Sequence, residues 1–486
     1  MRRSEVRLRG SLRRLAALLL ALGTAAGAAG CAHHVVNRPL TRPDPASGYR
    51  FQNLEPKGNG DRVFVVLSFS GGGTRAAALA YGVLRHLAAI EIPVEGGGTT
   101  TLLDEVDVIS SVSGGSFTAS YYALFGEEKL FSEFEGVFLR ENVQGDLVRL
   151  LFNPANWFRL ASPNYDRIDM AARYYHRQVF ERATFQDLVE RGERPFVVMN
   201  ATDMGEGSRF EFTQDRLDYL CSDLSEYPVA RGVAASSAFP GLLTPITLHN
   251  HASDDNPCGF RTPPRVANAL EDRELNPRRY TAAAERVGYL DPDRPYVHLM
   301  DGGVSDNIGL RGPYEALTSE VSAWSLLPKF NKGEVDRVVV VVVNARRGAG
   351  NTIDRRHSAP NLVRTLQTAA STPMAHYSFD TVQLLREDFE ARRQRNRERQ
   401  ILEERCPACA ELRQPAAEVA FHDVEVSFER VEDPELRDYL EGLPTTFALP
   451  DEAVDRLIEA GPAVLEADEG FQELLEALGA KVRDRP

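Results

Sequence analysis

Apolar residues in this chain gather into short unbroken runs, each left through a turn. The runs RVFVVLSF (62–69), VDVISS (106–111), FVVMN (196–200), YVHLM (296–300) and VVVVVVN (338–344) are rich in β-branched side chains and too short for helices. Such short runs predict strands, and the last, which has no in-out alternation, predicts one covered on both faces. Between the first two lies AAALAYGVLRHLAAI (76–90), whose helix formers and three-and-four apolar spacing predict a helix. SFTASYYALF (116–125) predicts a second. Strand, glycine turn, helix, twice over, is the parallel α/β unit. The expected class is therefore α/β, a three-layer α/β/α sandwich with a mostly parallel sheet. Residues 130–180 are aromatic-rich and irregular, and read equally as a substrate-facing cap or as ordinary helical packing. Further on, 361–404 predicts a long helix, 418–431 alternates like a strand, and the acidic tail beyond Pro434 predicts helices. The basic run at 391–399 fits a solvated helix face, or a local contact with lipid head groups.

The first 60 residues have a different texture. Six arginines between Arg2 and Arg14 precede an apolar run, Leu15–Ala29, that is too short for a comfortable membrane span. It ends Ala28-Ala29-Gly30-Cys31, small residues before a cysteine. That pattern resembles a bacterial lipoprotein processing site, with alanine where leucine is usual; an ordinary secretory signal is the plainer alternative. Residues 1–31 are thus expected to be an export signal ending at a lipidated Cys31. The product would be an anchored protein facing the periplasm or cell envelope. Residues 32–60, rich in Pro, Arg, Asn and Gly, are expected to be a tether. Of the remaining cysteines, Cys221 with Cys258 is the expected bridge; Cys406 and Cys409 lack the second close pair a zinc site wants.

Composition narrows the partners. At 43% hydrophobic residues the chain can bury a full core, and a net charge of -14 argues against nucleic acid. The same charge repels an anionic bilayer, so lipid contact must come from an anchor, an apolar face or a local basic patch.

Three turns carry the chemistry. Ser70-Gly71-Gly72-Gly73-Thr74-Arg75 follows the first strand and offers bare N–H groups at a helix start, as an oxyanion needs. Its rival reading, a nucleotide cradle, lacks both the acidic residue of a dinucleotide site and the Gly-Lys-Ser/Thr of a P-loop. Ser111-Val112-Ser113-Gly114-Gly115-Ser116 places Ser113 at the centre of a strand-to-helix turn with small neighbours, where a nucleophile is exposed. Ser111 and Ser116 are rival serines. Met300-Asp301-Gly302-Gly303 sets a carboxylate at a strand end, although Asp-Gly is also a common turn. Asp306 is an alternative carboxylate. His298 is the nearest histidine, but its odd spacing from Asp301 turns it to the opposite face.

Taken in order, these motifs resemble those of the patatin-like phospholipase family. Gly71-Gly72-Gly73-Thr74-Arg75 matches its G-G-G-x-R motif and Asp301-Gly302-Gly303 its D-G-G/A motif. Ser111-Val112-Ser113-Gly114-Gly115 matches its G-x-S-x-G elbow, with serine for the first glycine. Ala234–Pro240 is similar to its A-S-x-A-x-P stretch. The resemblance spans roughly 63–313. It implies a patatin-like fold over 61–320, with 321–486 adding the last core strand and a mainly helical extension. It also implies a serine acyl hydrolase acting on phospholipids or other lipid esters, with no cofactor or metal. Ser113 would be the nucleophile and Asp301 the base. Gly71, Gly72, Gly73 and Gly114 would form the oxyanion site, and Arg75 would orient that loop or meet a head group. A lipid acyltransferase using the same residues, and a non-catalytic membrane-tethered binding protein, are the alternatives.

Overall fold

The apolar runs do become the interior of a sheet. In a computed structural model, which describes residues 35–241, 243–348, 357, 362–405 and 419–483, eight strands share one sheet. They are β1 (Val63–Phe69), β2 (Val106–Ser111), β3 (Phe196–Asp203), β4 (Arg209–Glu211), β5 (Ile246–His249), β6 (Tyr296–Asp301), β7 (Arg337–Asn344) and β8 (Ala420–Ser427). Their spatial order is β8-β7-β1-β2-β3-β6-β5, with β4 paired to β3. From β8 to β3 all neighbours are parallel; β6, β5 and β4 are antiparallel additions at one side. The six valines of β7, between β8 and β1, are all buried, which explains their lack of alternation.

Helices cover both faces. Those used below are α1 (Thr74–Ala88), α2 (Gly114–Phe134), α3 (Val143–Phe152), α4 (Pro154–Leu160), α5 (Arg167–Gln178), α6 (Val229–Ser236), α7 (Leu362–Arg405) and α8 (Asp451–Ala467). On β8, Phe421, Asp423 and Glu425 share one face and meet Phe389 and Arg386 of α7, while α8 lies against the other. No helix among the described residues is long and apolar enough to cross a membrane.

One domain expectation needs correction. The described part of the expected tether, 35–60, is packed onto the domain: Tyr49, Phe51 and Leu54 are buried, and Arg38–Pro39 pairs with Ser222–Asp223. Its aromatic residues outweigh its Pro and Gly content once a core is present to receive them. The C-terminal region is mainly helical and adds a core strand, β7, as expected; it also supplies β8 to the sheet and α8 to the packing of α1. The irregular stretch 130–180 is helical, including α3, α4 and α5. Cys221 and Cys258 form the expected disulfide; Cys31, Cys406 and Cys409 lie outside the described residues, as does the leader.

Candidate active site

β1 and β2 are adjacent and parallel, and each ends in a glycine-rich turn that starts a helix. The positive ends of α1 and α2 therefore open side by side at the strands' C-terminal edge. Ser113 stands in the second turn at φ 48° and ψ −117°. That is a backbone state costing a residue with a side chain about 1–3 kcal/mol. The turn is held from below by hydroxyls. Ser113 N–H donates to Ser236 Oγ (2.9 Å), Ser236 Oγ lies 3.1 Å from Ser116 Oγ, and Ser116 Oγ donates to Ser111 Oγ at 3.0 Å. Ser111 in turn donates to the Val198 carbonyl. The two rival serines are thus buried and bonded beneath the turn, whereas Ser113 Oγ is in no hydrogen bond among the described residues. Gly114 is required by close approach: a Cβ there would collide with the carbonyl oxygen of Gly73.

Sheet register brings the carboxylate level with this serine. Ser111 pairs with Met199 on β3, so Ser113, two residues on, is level with Ala201; Ala201 is the partner of Asp301 on β6. The turn that carries Ser113 and the end of β6 that carries Asp301 thus lie on either side of β3. Ser236, the last residue of α6, ties the two turns together. Its hydroxyl holds Ser113, and its carbonyl accepts Gly302 N–H at 3.2 Å. Asn307 sits between the triple-glycine loop and the Asp301 turn: a Cβ on Gly71 or on Gly303 would fall 2.8 Å from its Oδ1. No hydrogen bond joins Ser113 Oγ to Asp301 among the described residues. Asp301 Oδ1 accepts Gly303 N–H at 2.7 Å, and Oδ2 has no hydrogen-bond partner among the described residues. Burial pushes the Asp301 pKa up to about 7, and the Gly303 N–H offsets this only in part.

The expected role of Gly71 changes, and that of Arg75 narrows to orienting the loop. Gly71 N–H donates to the Asn307 carbonyl at 2.9 Å, which removes it from the free donors. The N–H groups of Gly72, Gly73 and Gly114 have no partner among the described residues. Arg75 is too deep for a head group, at 2% exposure. Its guanidinium donates to the carbonyls of Ala345 (2.9 Å) and Leu443 (2.5 Å) and to Thr445 Oγ1. That segment also holds the glycine loop directly. Thr74 N–H donates to the Thr446 carbonyl at 2.9 Å, and a Cβ on Gly73 (φ 64°) would collide with the same oxygen. His298 is exposed and bonded to Thr247 Oγ1, and Asp306 accepts the N–H groups of Leu310 and Arg311. Among the described residues the one group with metal-ligand spacing is His249, His251 and Asp254. It lies toward the far end of β6, where His249 pairs with Tyr296.

The model of a family described as Patatin-like phospholipase matches residues 67–314, just over half of the 486 residues. No curated protein matches the chain. Among solved structures, human GIVD cytosolic phospholipase A2 is similar at 14% identity and a TM-score of 0.43, over 86% of this chain and 60% of that one. The chain thus spans less than two thirds of that enzyme's length. VipD from Legionella pneumophila is similar at 12% identity and a TM-score of 0.29, over 93% of this chain and 72% of that one.

Proposed function

Since the chain belongs to the patatin-like phospholipase family, we propose that it hydrolyses fatty-acyl esters of phospholipids or related lipids through Ser113 and Asp301. The observation that carries this reading is the pair of turns described above. A strained serine with a free hydroxyl stands level with a buried carboxyl group, and both are gripped by Ser236. Ser113 Oγ attacks the ester carbonyl as Asp301 Oδ2 takes its proton. No hydrogen bond joins the two side chains at rest among the described residues; it would form as the substrate binds. A pKa near 7 makes Asp301 a far better proton acceptor than an ordinary carboxylate. The N–H groups of Gly72, Gly73 and Gly114 receive the oxyanion, aided by two helix N-termini. The alcohol leaves with the proton from Asp301, and water then releases the fatty acid from the acyl-serine. Lipidation at Cys31 would hold this activity at a membrane of the cell envelope.

The test is fatty-acid release from phospholipid vesicles. Ser113→Ala is expected to abolish it while leaving the melting temperature within a degree or two; continued release by that variant retires the assignment. Adding a lysolipid acceptor separates hydrolysis from acyl transfer by product.

A further inference from the structure

The segment 147–160 (LVRLLFNPANWFRL) contains two arginines and no acidic residue, in a chain of net charge -14. It forms most of a hairpin of α3 and α4, and from Leu147 to Leu160 no residue is buried. Phe152 is 70% exposed, Trp157 55%, Phe158 50% and Val148 46%. An apolar cluster of this size, rimmed by cations, marks a binding face rather than scattered surface residues.

The tip satisfies its own polar groups. Trp157 Nε1–H donates to the Leu151 carbonyl (3.0 Å) and Asn156 Nδ2–H to the Leu150 carbonyl (2.9 Å), which caps α3. Asn153 Oδ1 accepts Ala155 N–H and so caps α4. A tip whose backbone and indole hydrogen bonds are already made loses little on entering a low-dielectric phase. The hairpin's base also borders the candidate site. Gln144 Oε1 accepts from Thr446 Oγ1, and the Thr446 carbonyl holds Thr74 at the glycine loop.

We propose that this hairpin seats the protein on an anionic lipid surface, with Phe152, Trp157 and Phe158 entering the head-group boundary and Arg149 and Arg159 meeting lipid phosphates. Arg149 also pairs with Asp146 on α3, so Arg159 and the rings dominate. The proposal rests on the lipid-hydrolase reading for its choice of a bilayer as occupant. Rings of this size act through area buried, and a tryptophan with its N–H satisfied suits the interface.

The chain's two tryptophans make a direct test. Trp324 is buried at 6% exposure, so bilayer contact is reported by Trp157. The full chain is mixed with vesicles of phosphatidylglycerol and phosphatidylethanolamine bearing brominated acyl chains. Trp157 emission is expected to move to the blue and to be quenched, more weakly on phosphatidylcholine alone. Phe152→Ser with Phe158→Ser should weaken quenching at least about tenfold. The same double variant should slow hydrolysis of vesicular lipid, leaving turnover of a soluble short-chain ester unchanged. Absent quenching overturns the proposal, as does quenching that the double variant leaves intact. Self-association abolished by the double variant, with vesicle quenching unchanged, would assign the face to a second copy instead. Ser113→Ala should keep the quenching and lose hydrolysis; if it keeps both, the catalytic reading fails while the docking face stands.

Discussion

The carbonyl oxygen of Thr446 accepts the backbone N–H of Thr74 at 2.9 Å, locking the C-terminal region onto the start of α1. Arg75 drives a second pair of bonds into the same region, at Leu443 and Thr445. The triple-glycine loop is therefore braced from a part of the chain that the motif itself does not contain.

Removing the brace should lower both stability and rate. Arg75→Ala leaves the buried carbonyls of Ala345 and Leu443 without donors, a loss of about 3 kcal/mol. Arg75→Lys cannot span three acceptors and should recover only part of it. Chemical denaturation and kcat measure the two effects. A wild-type kcat in a stably folded Arg75→Ala variant would show that the loop does not depend on this clamp.

Ser236→Ala isolates the grip on the nucleophile turn. It strands the buried N–H of Ser113 and disturbs the hydroxyl chain through Ser116 and Ser111. The expected cost is about 1–3 kcal/mol. The loss should appear mainly in kcat with KM little changed, since the acyl chain does not depend on this hydroxyl. Steady-state kinetics on a soluble ester decide the matter.

These bonds mark the limit of what was legible in the sequence. The runs 62–69, 106–111 and 338–344 could be read as strands because each is buried on both faces and so carries no ambiguity of phase. Ser113 and Asp301 were legible because tight turns after strands demand small neighbours on either side. Thr446 was not legible: nothing local distinguishes it, and its role exists only once the C-terminal region folds back on α1. Asn307 and the hydroxyl of Ser236 escape for the same reason, although Ser236 falls in the segment 234–240 that resembles a family stretch. The packed segment 35–60 was misread because Tyr49, Phe51 and Leu54 are spaced without a period, and only a neighbouring core reveals their burial.

The raised pKa of Asp301 gives two pH effects of opposite sense. As a base it must be ionised, so kcat/KM should fall as pH drops through about 7. Stability runs the other way. The folded state holds this proton more tightly than the unfolded chain, whose value is near 3.8. The group's contribution is therefore full below that value and is lost as pH rises through about 7. Asp301→Asn should accordingly raise the melting temperature relative to wild type more at pH 8 than at pH 5. Asp107 and Glu105 also have pKa values pushed up to about 7 by burial, so the difference between variant and wild type is the quantity to compare.

The Cys221–Cys258 bridge closes a loop of sequence separation 37 beside β5. Reduction, or Cys221→Ala with Cys258→Ala, should cost about 2–4 kcal/mol of stability. The bridge lies away from the Ser113 turn, so specific activity at low temperature should be retained; thermal melts with and without reductant test this.

Covalent capture bears most directly on the pairing of the hydroxyl at 113 with the carboxyl at 301. An alkyl fluorophosphonate is incubated with the protein, and the modified peptide is identified by mass spectrometry. The adduct is expected on Ser113 alone, formed about 10²–10⁴ times more slowly in Asp301→Asn and absent from Ser113→Ala. An adduct on another serine, or labelling of Ser113 at an undiminished rate in Asp301→Asn, would contradict it.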